Sequence, residues 1–537
     1  MTPPTCAPPR PSPLADLRAG SLVFLIALPL CLGIAVASGF PPVAGIVTAV
    51  VGGVLVTLLG SAPLTIKGPA AGLIVVAVGA VTELGGGDLT VGYRRALAVG
   101  VVAAVVQIGL GLARAASIGI AMSPSVVHGM LAAIGVIIIA KQAHVLLGVQ
   151  PQGQSTVALL AELPSSIARA NPRVAVIGVV ALLVMFALPA LRARWARAVP
   201  APLVVLAVAV PLALWWQMAV PHDYSLAGSL HHLGPEYLVR LPGSLLDAVA
   251  FPDFSAITSA TSVKYVVMFA LIGSIESTLT VLAVDGMDPH RRTSDYNRDL
   301  LALGGGNLVA ALVGGLPMIS EIVRSRANID AGATSSRANF FHGALLLVLV
   351  AAVPGLLQVI PLAALAAMLI YTGSRLAAPR EFRHAWRLGR DQLALFLTTL
   401  CVTLLTDLLI GVAAGLALKV ALHLARGVPA RALLRPRPCT ERHDDALHVR
   451  LPDAATFTHL LPVRAAVARA HRPAPGQRQP REVVIDVGGA AVVDHTFLAR
   501  MEGLAREWPD TPLTVRGLDA LSAGSAHPQA TRRRGPA

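Results

Sequence analysis

The chain has 537 residues, 55% hydrophobic and only 13% charged, with a mean hydropathy of +0.69. A soluble domain carries about 25% charged residues, so a soluble globular enzyme is excluded, as are disordered, collagen-like and disulfide-stapled chains. Four scattered cysteines (Cys6, Cys31, Cys401, Cys439) make neither a disulfide framework nor a zinc site. The net charge of +14 invites a nucleic-acid reading until its position is known; Lys occurs only at Lys67, Lys141, Lys264 and Lys419, and the other basic residues are Arg.

Residues 19–66 contain no charge. A spanning helix needs about 20 apolar residues, so this run predicts two spans, joined at Ser38-Gly39-Phe40-Pro41-Pro42. Arg18 and the small residues Ala35-Val36-Ala37 imitate a signal peptide, but a second span follows at once. Charge-poor windows recur at 68–82, 96–112, 115–140, 174–191, 198–220, 265–284, 300–320, 338–374 and 392–418. With long windows divided, this makes about fourteen segments, two of them short, and predicts a polytopic α-helical membrane protein.

The Arg residues sort by loop. With a cytoplasmic N-terminus, the inside loops hold Arg192, Arg194 and Arg197, then Arg291, Arg292 and Arg298, then Arg375, Arg380, Arg383, Arg387 and Arg390. The opposite loops are uncharged (38–42) or acidic, with Asp223, Glu236, Asp247 and Asp253 against Arg240. This is the positive-inside asymmetry, and the location expected is the cell inner (plasma) membrane, with the N-terminus and the C-terminal domain cytoplasmic. With aromatics at only 4%, no interleaved basic patch supports nucleic-acid binding.

The domain organisation predicted is a cytoplasmic tail (1–15), a transmembrane part (16–426, with repeats at 16–220 and 260–426), an Arg/Pro-rich linker (427–443) and a small cytoplasmic α/β domain (444–522). Residues 447–451 and 482–487 alternate as strands, 497–508 reads as an amphipathic helix and 513–515 as a further strand. The tail 523–537, with Arg532-Arg533-Arg534, is expected to be disordered.

Two short segments share a phrase. Gly60-Ser61-Ala62-Pro63 leads to Lys67-Gly68-Pro69-Ala70-Ala71-Gly72, and Gly314-Gly315-Leu316-Pro317 leads to Ser320-Glu321-Ile322-Val323-Arg324-Ser325. Short Gly/Pro-interrupted segments in corresponding halves point to a transporter's binding site. A helix beginning in mid-membrane leaves its first N–H groups unpaired and partly positive, and two such starts make an anion site. The bland alternative is a kink in an ordinary span. Ionisable residues inside the membrane are costly and usually functional; here they are Lys67, Glu276, Glu321 and Arg324. Glu276 and Thr280 lie i, i+4 on one helix face and suit a small cation or a proton. Against these stand a helix-holding ion pair for Glu276 and a snorkelling anchor for Arg324. Repeat alignment pairs Lys67 with Glu321.

The chain resembles the SulP (sulfate permease) family of inorganic anion transporters. The resemblance rests on Asp16-Leu17-Arg18-Ala19-Gly20 with Leu28-Pro29, on Lys67–Gly72, on Gly273–Thr280, on Asp295–Arg298 with Asn307, on Gly315–Asn328 and on Ile360–Ala366. It implies a seven-plus-seven inverted repeat with core and gate domains, an elevator-like motion, a homodimer and a C-terminal STAS-like domain. It places the anion at Ala70, Ala71 and Gly72 and at Ser320, Glu321, Ile322, Val323 and Arg324, and a coupling cation, Na⁺ or H⁺, at Glu276 with Thr280. No other cofactor is implied. The chain departs from many relatives in carrying Lys67 for Ser or Thr, and in Asp494-His495-Thr496 for an Asp-Ser-type loop. Glu321 also sets a carboxylate at the second half-helix, opposing an oxyanion unless Lys67 or a proton neutralises it.

The function expected is secondary active transport of sulfate or bicarbonate. A nucleobase permease of the same fold has no need of a cationic Arg324, and an anion channel or STAS-linked sensor is a third reading. Absence of Ser/His/Asp, HExxH or Walker-type patterns argues against an enzyme.

Overall fold

A computed structural model describes residues 12–116, 119, 121–153, 155–191, 199–226, 228–241, 249–353, 355–443, 445–471, 479–508 and 511–534. Most of the N-terminal tail, the loop with Arg192, Arg194 and Arg197, and Asp247 lie outside the described residues. The chain divides into two units, Met1–Ala116 with Ile134–Ala377, and Ser117–Ala133 with Ala378–Ala537.

The first unit is helical. The uncharged run forms α1 (Pro13–Ala37) and α2 (Pro42–Leu59). Between them Gly39 takes φ 76°, a left-handed backbone that costs glycine little, and Pro42 opens α2 where its missing N–H loses nothing. Then come β1 (Ile66–Pro69), a 3₁₀ turn (Ala71–Leu73), α3 (Ile74–Gly85), α4 (Leu89–Leu112), α5 (Pro124–Leu146, of which residues 134–146 belong to this unit), α6 (Thr156–Ala168), α7 (Pro172–Ala190) and α8 (Ala201–Trp215). A hairpin of β2 (His222–Leu226) and β3 (Ser229–Leu233) separates these from a second series. That series is α9 (Ala260–Met287), α10 (Tyr296–Leu312), β4 (Met318–Glu321), α11 (Ile322–Asp330), α12 (Arg337–Ala352) and α13 (Leu362–Leu376). Among the described residues, eight helices are long and apolar enough to cross a membrane, and four shorter apolar ones accompany them.

Small residues let these helices touch. A Cβ at Gly53 of α2 would lie 2.6 Å from the Gly343 backbone of α12, the close approach on which helix association in lipid depends. Asp16, fully buried at the start of α1, accepts from the Thr334 N–H at 2.6 Å, the Ser335 N–H at 3.0 Å and the Ser335 hydroxyl at 2.5 Å. It thereby ties α1 to the loop between α11 and α12.

The second unit takes residues 117–133, α14 (Pro379–Leu388), α15 (Arg390–Leu405) and α16 (Leu408–Ala425), followed by an α/β segment. Its sheet has the order β5 (Cys439–His443), β6 (Ala446–Arg450), β7 (Glu482–Asp486), β9 (Leu513–Arg516). β5 is antiparallel to β6, and the β6–β7 and β7–β9 pairs are parallel. The parallel pairs require crossovers, supplied by α17 (Leu460–Ala470) and α18 (His495–Glu507). Two expectations shift. β5 falls inside the expected linker, and Arg532–Arg533, expected in a disordered tail, form strand β11 between β10 (Ser522–Ala523) and β8 (Val492–Val493). Backbone pairing with neighbouring strands, invisible to composition, orders both.

Asp494 caps α18 by accepting from the Phe497 N–H at 2.6 Å and also takes the Phe457 N–H at 3.1 Å. Lys419 of α16 lies 3.1 Å from the same carboxylate and donates to the Thr496 hydroxyl at 2.6 Å, with His423 Nε2 at 3.3 Å. Burial alone would raise the Asp494 carboxyl, but Lys419 and His423 hold it well below the usual carboxylate range. Asp494→Asn leaves the Lys419 ammonium buried and unpaired, which should cost about 3–5 kcal/mol and speed hydrogen exchange in β6 and β7. Because the folded-state pKa is depressed, this stabilisation is complete above the unfolded value of about 3.9 and disappears as pH falls through the folded one. Equal exchange in variant and parent at pH 7 would contradict it.

Candidate functional site

The site grows from two stretches of extended chain that pair with each other. β1 and β4 run antiparallel in the register Ile66↔Glu321, Lys67↔Ser320, Gly68↔Ile319 and Pro69↔Met318. In an apolar medium every backbone group needs a partner, and extended chain is tolerated only where protein supplies it. Side chains of the surrounding helices complete the set. Asn307 of α10 accepts from the Met318 N–H at 2.7 Å and donates to the Met318 carbonyl at 3.2 Å, mimicking a third strand. Thr48 of α2 accepts from the Leu316 N–H at 2.6 Å. Asn339 of α12 accepts from the Lys67 N–H at 3.2 Å while donating to the Gly52 carbonyl at 3.0 Å. The Ser325 hydroxyl takes the Ile66 N–H at 2.9 Å, and Asn328 donates to the Leu64 carbonyl at 3.0 Å.

Each strand then becomes a helix without a side-chain cap. Ala70 stays extended before the Ala71–Leu73 turn and α3, and Glu321 stays extended before α11; neither α3, the turn nor α11 has a capping side chain. Both starts therefore lack a side-chain cap at the end of the helix that carries partial positive charge, as the paired sequence phrases predict.

Alternation along the ribbon sorts the charged residues onto two faces. On one face lie Lys67 and its cross-strand partner Ser320. The fully buried Lys67 ammonium donates to both Asp299 oxygens at 2.7 Å and to the Ser320 hydroxyl at 2.5 Å. Ser320 and Ser277 of α9 join at 2.8 Å, and Asp299 also takes the Ala62 N–H at 2.7 Å. The expected Lys67–Glu321 pair is thus corrected: Glu321 sits opposite Ile66, on the other face, and the partner of Lys67 is Asp299. Nothing in the helical pattern around Asp299 distinguishes it from a loop-end acid.

On the second face the charged groups are unpaired. Arg324 is 1% exposed and none of its three guanidinium nitrogens has a hydrogen-bond partner. Gly68 makes room for it, since a Cβ there would collide with the guanidinium. Glu276 is 6% exposed with both carboxylate oxygens unpartnered, packed so closely on Gly72 that a Cβ would collide with them. One Glu321 oxygen is unpartnered as well. Thr280 is buried one turn after Glu276. Ile322 and Val323 are 46% and 44% exposed, so these two turn their side chains outward and offer the site only backbone. Buried polar groups are normally hydrogen-bonded, so a cluster of unpartnered ones at two helix starts marks where ions would complete the set.

Breaking the rear ion pair should be far worse than removing it. Lys67→Met or Asp299→Leu alone should destabilise the protein by about 3–5 kcal/mol, whereas the double replacement should recover most of the loss. Melting of the four proteins in detergent checks this; additive losses would separate Lys67 from Asp299.

The sequence pattern of the sulfate permease family matches residues 14–399. The sulfate-transporter candidate YvdB of Bacillus subtilis (strain 168) is 27% identical over 416 residues, 76% of this chain and 73% of its own length. The solved transmembrane domain of a cyanobacterium bicarbonate transporter, BicA, aligns with a TM-score of 0.61 at 22% identity, covering 75% of this chain and 97% of that one. The overall structure of SLC26A9 aligns with a TM-score of 0.66 at 14% identity, covering 94% and 84%. The chain belongs to the sulfate permease family of membrane anion transporters, and is not an enzyme.

Proposed function

We propose that the protein is a secondary active transporter of an inorganic oxyanion, sulfate or bicarbonate, coupled to Na⁺ or H⁺ and working by elevator-type alternating access. The observation that carries this reading is the buried, unpartnered Arg324 guanidinium beside two uncapped helix starts. A guanidinium and free N–H groups are what a tetrahedral or planar oxyanion requires. A neutral nucleobase does not call for that charge. Glu276, on the α3 side of the same face, is the group that would take the coupling cation, with Thr280 as its neighbour.

The order of elements supports a fourteen-span, seven-plus-seven arrangement. A long helix, a second helix, and then a strand leading into a half-helix open both series: α1, α2, β1–α3 in the first and α9, α10, β4–α11 in the second. A homodimer, a cytoplasmic STAS-like identity for the α/β segment and a plasma-membrane location with cytoplasmic termini complete the proposal. They rest on the family resemblance and the distribution of Arg.

Uptake of radiolabelled sulfate and of bicarbonate into proteoliposomes, with and without inward Na⁺ and H⁺ gradients, tests the reading. Saturable uptake accelerated by one gradient is expected. Arg324→Ala should lower uptake at least tenfold, the loss of one charge-assisted contact of about 1.5–3 kcal/mol, and Glu276→Gln should abolish the gradient's effect. Ohmic current, or uptake of neither anion, would refute it.

A further inference from the structure

We infer that a cleft beyond the end of α16 is a binding site for a phosphorylated sugar, with the phosphates on Arg431, Arg435 and Arg437 and the hydroxyls on Asp453. The inference rests on the cytoplasmic placement proposed for this segment and not on which anion is carried.

The chain leaving α16 forms a short helix, Ala430–Leu434. Its Ala432 and Leu433 are buried together with Ala454, which follows β6, and Val492 of β8. This small core fixes the linker on the α/β segment and leaves beside it a cleft of about 400 Å³. Clefts of about 300–1,000 Å³ are the size that takes small organic molecules; a lone sulfate or bicarbonate would fill a fraction of it. Arg431, Arg435, Arg437, Asp453 and His459 are in its lining. The three Arg residues are exposed, and none has an ion-pair partner among the described residues. Three guanidiniums against one carboxylate leave the cleft cationic, and their forked N–H groups match phosphate oxygens.

Asp453 decides what else the ligand carries. Its carboxylate only accepts, so it opposes a bare polyphosphate but is satisfied by hydroxyl groups. His459 adds a neutral donor. The Thr456 N–H donates to its Nδ1 at 3.4 Å, which leaves the ring proton on Nε2. Burial pushes the His459 pKa down to about 4, so the ring carries no charge at neutral pH. No Phe, Tyr or Trp lines the cleft among the described residues, so nothing there stacks on a nucleobase.

One 3₁₀ turn, Phe457–His459, links the cleft to α16. His459 is at its cleft end. Phe457, at the other end, stacks on His423 with ring centroids 6.2 Å apart, and the Lys419 ammonium lies 4.5 Å from its ring centre. Both partners belong to α16. The turn a ligand touches is therefore the turn that grips the end of this helix.

Isothermal titration of the full chain in detergent with fructose 1,6-bisphosphate tests the inference. It needs neither transport nor a known orientation, so failure of the transport reading would leave its result intact. Saturable binding that weakens with rising ionic strength and persists in excess sulfate is expected. Arg431→Gln combined with Arg435→Gln should raise Kd about tenfold or more, the loss of charge-assisted contacts. Asp453→Asn should weaken the sugar bisphosphate but tighten pyrophosphate, since it removes a hydroxyl acceptor and a like charge together. Hydrogen exchange in residues 430–437 and 452–459 should slow on binding. The inference is overturned by absence of binding, by exchange that stays unchanged, or by displacement with sulfate. It is equally overturned by an unaltered Kd in an Arg double variant that melts like the parent, or by an Asp453→Asn that shifts both probes alike. Binding abolished by Arg324→Ala would place the probe in the transport site and overturn it too.

Discussion

Two strands of unsaturated backbone buried among apolar helices impose the constraint on which the site depends. Four residues of β1 and four of β4 satisfy one another in an antiparallel ladder, but a ladder of two strands leaves its outer edges bare. Asn307, Thr48 and Asn339, from three different helices, close those edges. The half-helices are thus held at their roots by directional hydrogen bonds in addition to hydrophobic packing, which is non-directional. Directional anchoring is what a site of matched N–H groups and one guanidinium needs, because an error of an ångström there loses the hydrogen bonds.

The ribbon also divides labour. Its rear face closes a fully paired network of Lys67, Asp299, Ser320 and Ser277, while its front face holds Arg324, Glu276 and Glu321 without full complements of partners. A satisfied buried network rigidifies, and an unsatisfied one waits for a ligand. The two lie back to back on a single thin element, so rigidity on one side serves poise on the other.

Much of this was legible in the residues. The uncharged 19–66 run located α1 and α2, and the two Gly/Pro phrases located both half-helices. The intramembrane charges Glu276, Glu321 and Arg324, singled out in the sequence, each carry polar atoms without a hydrogen-bond partner. What could not be read was pairing. Whether Lys67 meets Glu321 or Asp299 depends on strand register, and four-residue strands carry too little periodicity to reveal it. Asn339 and Thr48 looked like ordinary helix residues because their partners are distant backbone groups. β5 escaped notice since Cys439–His443 is exposed along its whole length, the polar edge strand that sheets use to discourage association.

The register Ile66↔Glu321 carries a further consequence for how such sites diversify. Side chains alternate along a strand, so a slip of one residue transfers every one of them to the opposite face. A single-residue insertion between Gly60 and Ile66, with the ladder's hydrogen bonds kept, would bring Lys67 round to join Arg324 and send its neighbours to the back. That face would gain a second cation without any substitution. Relatives with different substrate charge are therefore reachable through the length of a short loop, as well as through changes of side chain.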